Sequence, residues 1–274
     1  MTGLPYIQSL LLVCPLVFLA GFVDSIAGGG GLLSLPAWLA TGLPAHMAAG
    51  SNKFANMIGT SFSVLRYGKS GNIKMRAALT TAAAAIPGAF IGTKLALFLD
   101  ATILKLIILG IIPVVTVVVL SGPRLKQFII QKKLMGRDSR QQKTLAHATS
   151  TKIVIASCIG LILGAYDGLI GPGTGTFLIL AFTACMHYSL VDSSGSAKVV
   201  NLTSNIISGT LFIISENVWY AVAIPAAVCA VFGNLLGSHF AIRGGTRVIR
   251  PIMILVLILL CIKIIYDLWL GRSS

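Results

Sequence analysis

Acidic side chains are nearly missing from this 274-residue chain. It has seven, against 21 lysines and arginines, and charged residues of either sign make up only 10% of it. A soluble domain carries about 25% charge, so the deficit excludes an ordinary water-soluble fold and points to a polytopic integral membrane protein. Seven scattered acids also leave no pair suited to hydrolysis, which argues against an enzyme. Cysteine is equally sparse. Cys14, Cys158, Cys185, Cys229 and Cys261 stand singly in apolar runs without C-x-x-C spacing, which excludes a disulfide framework and leaves small buried hydrophobes. His46, His147, His187 and His239 fall in connections and at segment ends, with no H-E-x-x-H, so no metal is expected. The glycine-rich stretches lack G-K-[ST], and no nucleotide or other cofactor is expected. The opening "MTGLPYIQ" has no lysine or arginine, so residues 6–26 read as a retained first span rather than a cleaved signal.

What the chain has in abundance is apolar sequence: 56% of residues are hydrophobic. Runs at 79–99, 103–120, 153–166, 218–236 and 251–266 reach, with their flanks, the roughly 20 residues that cross a bilayer. The net charge of +14 is concentrated between them. Seven basic residues lie in 121–147, four in 66–76 and three in 243–250. Clusters confined to short loops follow the positive-inside bias and offer no folded face for nucleic acid.

The chain contains an internal repeat. "GFVDSIAGGGG" (21–31) aligns with "GAYDGLIGPGTG" (164–175), placing Asp24 with Asp167 and Gly28 with Gly171. "SNKFANMIGTSFSVLRYGKSGN" (51–72) aligns with "SAKVVNLTSNIISGTLFIISEN" (196–217), placing Lys53 with Lys198 and Asn56 with Asn201. Gly88 and Gly92 match Gly233 and Gly237. The chain therefore divides into repeats at 1–120 and 148–274, joined by a basic cytosolic linker, 121–147.

Each repeat offers five apolar segments: about 6–26, 30–42, 45–65, 77–98 and 101–120, then 150–168, 173–188, 195–214, 218–240 and 247–270. The second of each set is short. If all ten cross, loops 66–76, 121–147 and 243–250 share one side; if the short ones fail to cross, 243–250 lands opposite the linker. Only ten crossings satisfy the charge bias. The fold expected is thus an all-α integral membrane protein of two inverted five-segment repeats, with short Gly-interrupted second segments and both termini outside.

The chemistry-bearing residues recur at matched positions. Gly28, Gly29, Gly30 and Gly31, with Gly171, Gly173 and Gly175, free the backbone to unwind and aim N–H groups at an anion; close helix packing by small residues is the alternative. Lys53 and Asn56, like Lys198 and Asn201, are three apart and share a helix face. With Ser51, Asn52, Ser196 and Asn205 they make a candidate anion receptor; snorkelling of the lysines to the headgroups is the alternative. Asp24 and Asp167 are candidates for proton coupling or for helix capping.

These duplicated glycine blocks, followed by "SNKFAN" and "SAKVVN", resemble the sulfite exporter TauE/SafE family of membrane permeases, also called the toluene sulfonate uptake permease family. The "TNK"-like motif reads "SNK" here, and Pro172 stands where the first repeat has Gly29. The resemblance covers nearly the whole chain. It implies movement of sulfite, sulfonates such as sulfoacetate, or related anions across the bacterial inner membrane. The expected partners are a small anionic substrate, the lipid bilayer and, if the aspartates titrate, H+; oligomeric state is left open. Rival readings are a channel-like anion pathway and an intramembrane enzyme. Export of an anion from a negative-inside cell gains about 2.3 kcal/mol per charge per 100 mV, whereas import calls for a coupling ion.

Overall fold

The computed structural model describes residues 4–104, 106–107, 145–169, 171–249 and 251. Among them all regular structure is helical: α1 (Tyr6–Ala27), α2 (Gly31–Ala40), α3 (Ala45–Lys69), α4 (Met75–Phe98), α5 (Leu145–Leu169), α6 (Thr174–Cys185), α7 (Leu190–Ile214) and α8 (Tyr220–Gly244). Helix resumes at 101 and at 246, but most of the two expected fifth segments lies outside the described residues, as do linker residues 121–144 and Cys261. Residues 145–147, read as the end of the linker, already belong to α5.

Local chemistry sets the boundaries. Pro5 and Pro44 hold extended backbone just before α1 and α3, since proline fixes φ and starts helices readily. Ser189 caps α7, its hydroxyl accepting from the Asp192 N–H at 3.1 Å. Helix α1 ends at Gly28, in the left-handed region at φ 78°, whose N–H donates to the Asp24 carbonyl.

Five described stretches are long and apolar enough to cross a bilayer: α1, α4, residues 152–169 of α5, α7 and α8. The 25-residue α3 is long enough, but Asn52, Lys53 and Asn56 dilute its apolar character. The short helices behave differently. Helix α2 has ten residues and α6 twelve, about 15 and 18 Å against a hydrocarbon core of about 30 Å. Helix α2 runs back beside α1, because the Leu4 N–H donates to the Thr41 carbonyl at 2.9 Å. The glycine break between them is therefore the turn of a helical hairpin inside the molecule.

The repeats interlock. Helix α1 of the first packs along α8 of the second, and α4 of the first along α5 of the second. Both seams are built from small residues that bring backbones together. A Cβ on Gly164 would lie 2.7 Å from the Ala85 carbonyl, and one on Gly21 2.9 Å from the Ala230 carbonyl. The hydrophobic clusters cross the repeats too, as where Val13 and Trp38 meet Val222 and Ala226.

One end of the bundle gathers loop 70–74, the start of α7 and the end of α8. Lys74 pairs there with Asp192 at 3.2 Å, and Arg66 lies 2.5 Å from His239. The opposite end holds Leu4, Thr41 and loop 215–219. Residues 66–76 and 243–249 thus sit at the same end.

Candidate functional site

Both glycine breaks meet at the centre. The Thr176 N–H donates to the Gly28 carbonyl at 3.2 Å, and the Thr176 hydroxyl to the Ala27 carbonyl at 2.8 Å. Gly175 lies so close to Gly28 that a Cβ on it would sit 2.6 Å from the Gly28 Cα. Gly31 is the looser counterpart on the other side, where a Cβ would stand 3.2 Å from the Pro172 Cα. The first turns of α2 and α6 are held against the breaks of the opposite repeat.

Around this crossing lie two ion pairs, each joining the repeats. Lys53 on α3 donates to Asp167 on α5 at 2.8 Å and to the Asn205 side-chain oxygen at 3.1 Å. Lys198 on α7 donates to Asp24 on α1 at 2.5 Å. The lysine side chains are 6% and 0% exposed, those of Asp167 and Asp24 3% and 14%. Buried lysines bonded to carboxylates in the interior are not snorkelling. Asp167 also accepts from the Ser204 hydroxyl, while Asp24 accepts from the Gly30 N–H at 3.4 Å, ahead of α2. Asp24 therefore combines an ion pair with a weak capping contact; Asp167 combines an ion pair with a side-chain bond.

Between the pairs is a polar cavity of about 20 Å³. Asn52, Lys53 and Asn56 line it from α3, Asn201 and Asn205 from α7, with Asp24, Asp167, Gly28, Gly31, Gly171 and Gly175 completing the wall. Asn205 donates to the Asn201 side-chain oxygen at 3.0 Å. The buried Asn52 side-chain oxygen has no hydrogen-bond partner among the described residues, so an unused acceptor, not a donor, is left there. Gly171, at φ 88°, brings backbone up to the first pair: a Cβ there would stand 3.2 Å from the Lys53 ammonium.

Six expected residues do not line the cavity. Lys198 reaches its wall through Asp24. Gly29, Gly30 and Gly173 shape the breaks from behind; a Cβ on Gly30 would strike the Ala20 carbonyl and the Asp24 Cβ. Ser51 and Ser196 have a different task. The Ser51 hydroxyl accepts from the Trp219 N–H at 2.9 Å, and the Ser196 hydroxyl from the Lys74 N–H at 3.0 Å. Each serine caps the fourth helix of the other repeat, α8 or α4. Sequence reasoning missed this, and it missed Ser204. It also missed the pairing itself, although acids and lysines at matched positions of the two halves carry the signal: each acid can meet the other half's lysine.

The chemistry follows from the charge count. Two ammonium groups and two carboxylates make the centre neutral. Removing charges from water is expensive, and mutual pairing offsets that cost. An entering anion finds each lysine occupied, so it gains a lysine only by displacing a carboxylate or after that carboxylate is protonated. A cavity of about 20 Å³ holds about one water; a larger solute enters only as the lining moves.

The model of the family described as "Sulfite exporter TauE/SafE" matches residues 13–264. The chain is 30% identical over 261 residues to a probable membrane transporter protein, ORF9, of a Sinorhizobium species, covering 93% of this chain and 94% of that one. It is 30% identical over 250 residues to a probable membrane transporter protein of Haemophilus influenzae, with 91% and 92% covered. It is 29% identical over 281 residues to the probable membrane transporter protein YfcA of Escherichia coli, with 97% and 98% covered. No solved structure matches the chain.

Proposed function

The chain belongs to the sulfite exporter TauE/SafE family of membrane transporters, and from that premise we propose that it carries a small anion, of the sulfite or organosulfonate class, across the bacterial inner membrane as a secondary transporter. The observation that carries this reading is the pair of reciprocal ion pairs around a buried polar cavity. The anion binds where the asparagine amides and one released lysine converge. A proton on Asp24 or Asp167 releases that lysine, and one proton with one monovalent anion keeps the centre neutral. Movement of the two hairpins, each held against the other repeat's glycine break, opens the cavity alternately to either side.

The same reading takes the chain as ten segments in two inverted repeats, 101–120 and 247–270 completing each half. Its support is the reciprocity of the two Lys–Asp pairs and of the Ser51 and Ser196 contacts, with the placement of 66–76 and 243–249 at one end. A channel-like pathway fits less well, since the cavity is small and bordered by paired charges.

The test is uptake into proteoliposomes with sulfite, sulfoacetate and sulfate under an imposed pH gradient. Saturable flux of a sulfur oxyanion, abolished in Lys53→Ala and Lys198→Ala, supports the reading. Flux that rises without saturation identifies a channel, and no flux with any of the three anions removes the sulfur-anion assignment.

A further inference from the structure

A second site lies at the basic end, away from the central cavity. Between the last turns of α3 and α8 runs a groove of about 580 Å³. Its apolar wall includes Phe62 and Leu65, which are 39% and 60% exposed. Its rim carries Arg66, Lys69 and Arg243, with His239 between them. Among the described residues none of these three cations forms a salt bridge. The neighbour of Arg66 is the His239 Nδ1 at 2.5 Å, which as acceptor leaves a neutral ring and does not offset the cations.

The repeat supplies an internal comparison. At the alignment offset of 145, Arg66 and Lys69 correspond to Leu211 and Ile214, and His239 and Arg243 to Lys94 and Phe98. The equivalent positions in the other halves of the repeat thus carry one cation where this groove has three. The fold itself does not require the cluster. Cations above an exposed apolar wall, at the end of membrane-crossing helices, complement a ligand with an anionic head and a hydrocarbon tail.

We propose that this groove binds an anionic phospholipid of the leaflet at the basic end, its phosphate held by Arg66, Lys69 and Arg243 and an acyl chain laid over Phe62 and Leu65. The proposal is independent of the substrate at the central cavity.

The test titrates the purified full chain in detergent with short-chain phosphatidylglycerol and, separately, phosphatidylcholine. Phosphatidylglycerol is expected to bind more tightly. A cation at a lipid surface is worth about fivefold in affinity, so Arg66→Gln/Lys69→Gln/Arg243→Gln should weaken binding about a hundredfold. The double variant Lys69→Gln/Arg243→Gln preserves the Arg66–His239 contact and should weaken it about 25-fold, which keeps the test intact if the triple variant folds poorly. Lys94→Gln, at the position equivalent to His239, should change nothing. Free glycerol phosphate at matched concentration should not compete, because it lacks the chain. Equal affinity for the two lipids, unchanged affinity in the double variant, or full competition by glycerol phosphate would each overturn the proposal.

Discussion

Lys53 and Asp167, 114 residues apart and in opposite repeats, form a 2.8 Å ion pair that is almost closed to solvent. Its mirror, Lys198 with Asp24, joins the repeats in the reverse sense. The pairs tie the first helix of each repeat to the third helix of the other. On the proposed function, stability and substrate access are coupled at the same four side chains.

Removing one partner should be worse than removing both. Lys53→Ala leaves Asp167 buried without its cation, which costs about 3–5 kcal/mol. Lys53→Ala/Asp167→Ala removes both charges and should regain part of the loss. Thermal unfolding in detergent of the two singles and the double measures this, and the double should unfold at a higher temperature than Lys53→Ala. Transport should be absent from all three. A double variant whose loss equals the sum of the two single losses would show that the pair is not energetically coupled.

Asparagine at the acids separates their roles. Asp24→Asn and Asp167→Asn keep the shape and remove the titration. If each acid exchanges a proton as its lysine is released, both variants should bind substrate and lose accumulation driven by a pH gradient. On the same premise, acidifying the loading side of the unaltered protein should speed uptake. A pH-jump flux assay reads both effects. Retained pH dependence in both variants would confine the aspartates to structural work.

The serines should report on folding alone. Ser51→Ala and Ser196→Ala remove the acceptors for Trp219 and Lys74, at a cost of about 1 kcal/mol each. Lower thermal stability with unchanged substrate affinity is the expected result. A large loss of affinity at normal stability would return them to the anion site.

Glycines that look alike in the sequence should differ sharply. Gly175→Ala places a Cβ 2.6 Å from the Gly28 Cα, against backbone that cannot yield. Gly71, at φ 72°, has nothing within 4 Å of its added Cβ, so Gly71→Ala meets only the strain of a left-handed residue, about 1 kcal/mol. Gly175→Ala should abolish transport and reduce the folded yield, and Gly71→Ala should leave both near normal. Comparable behaviour of the two would mean that the crossing can open to admit a side chain.

Topology is checked by labelling single cysteines in a background without the five native ones. Sites in 66–76 and 243–250 should react from the cytosol, and position 216 only from outside. Labelling of 66–76 and 243–250 from different sides would remove the inverted repeat.

The sequence alone determined the membrane class and, among the described residues, the helical segments, because each is a local or periodic property. Charge scarcity, apolar run length and matched motifs are legible without coordinates. Segment 6–26 became Tyr6–Ala27 and 30–42 became Gly31–Ala40, since proline and glycine mark those ends locally. The same local reading located the glycine breaks and the polar face of α3. It could not distinguish Asn52 from Ser51, one position apart: Asn52 lines the cavity while Ser51 faces Trp219. Adjacent helical residues point about 100° apart, and which direction is inward depends on the neighbouring helix. Nor could it say that the lysines are already paired. That depended on the interlocking of the repeats, which brings Asp167 to Lys53 and Asp24 to Lys198. Tertiary packing alone decided it, because a buried charge takes the partner that the fold delivers, at whatever separation along the chain.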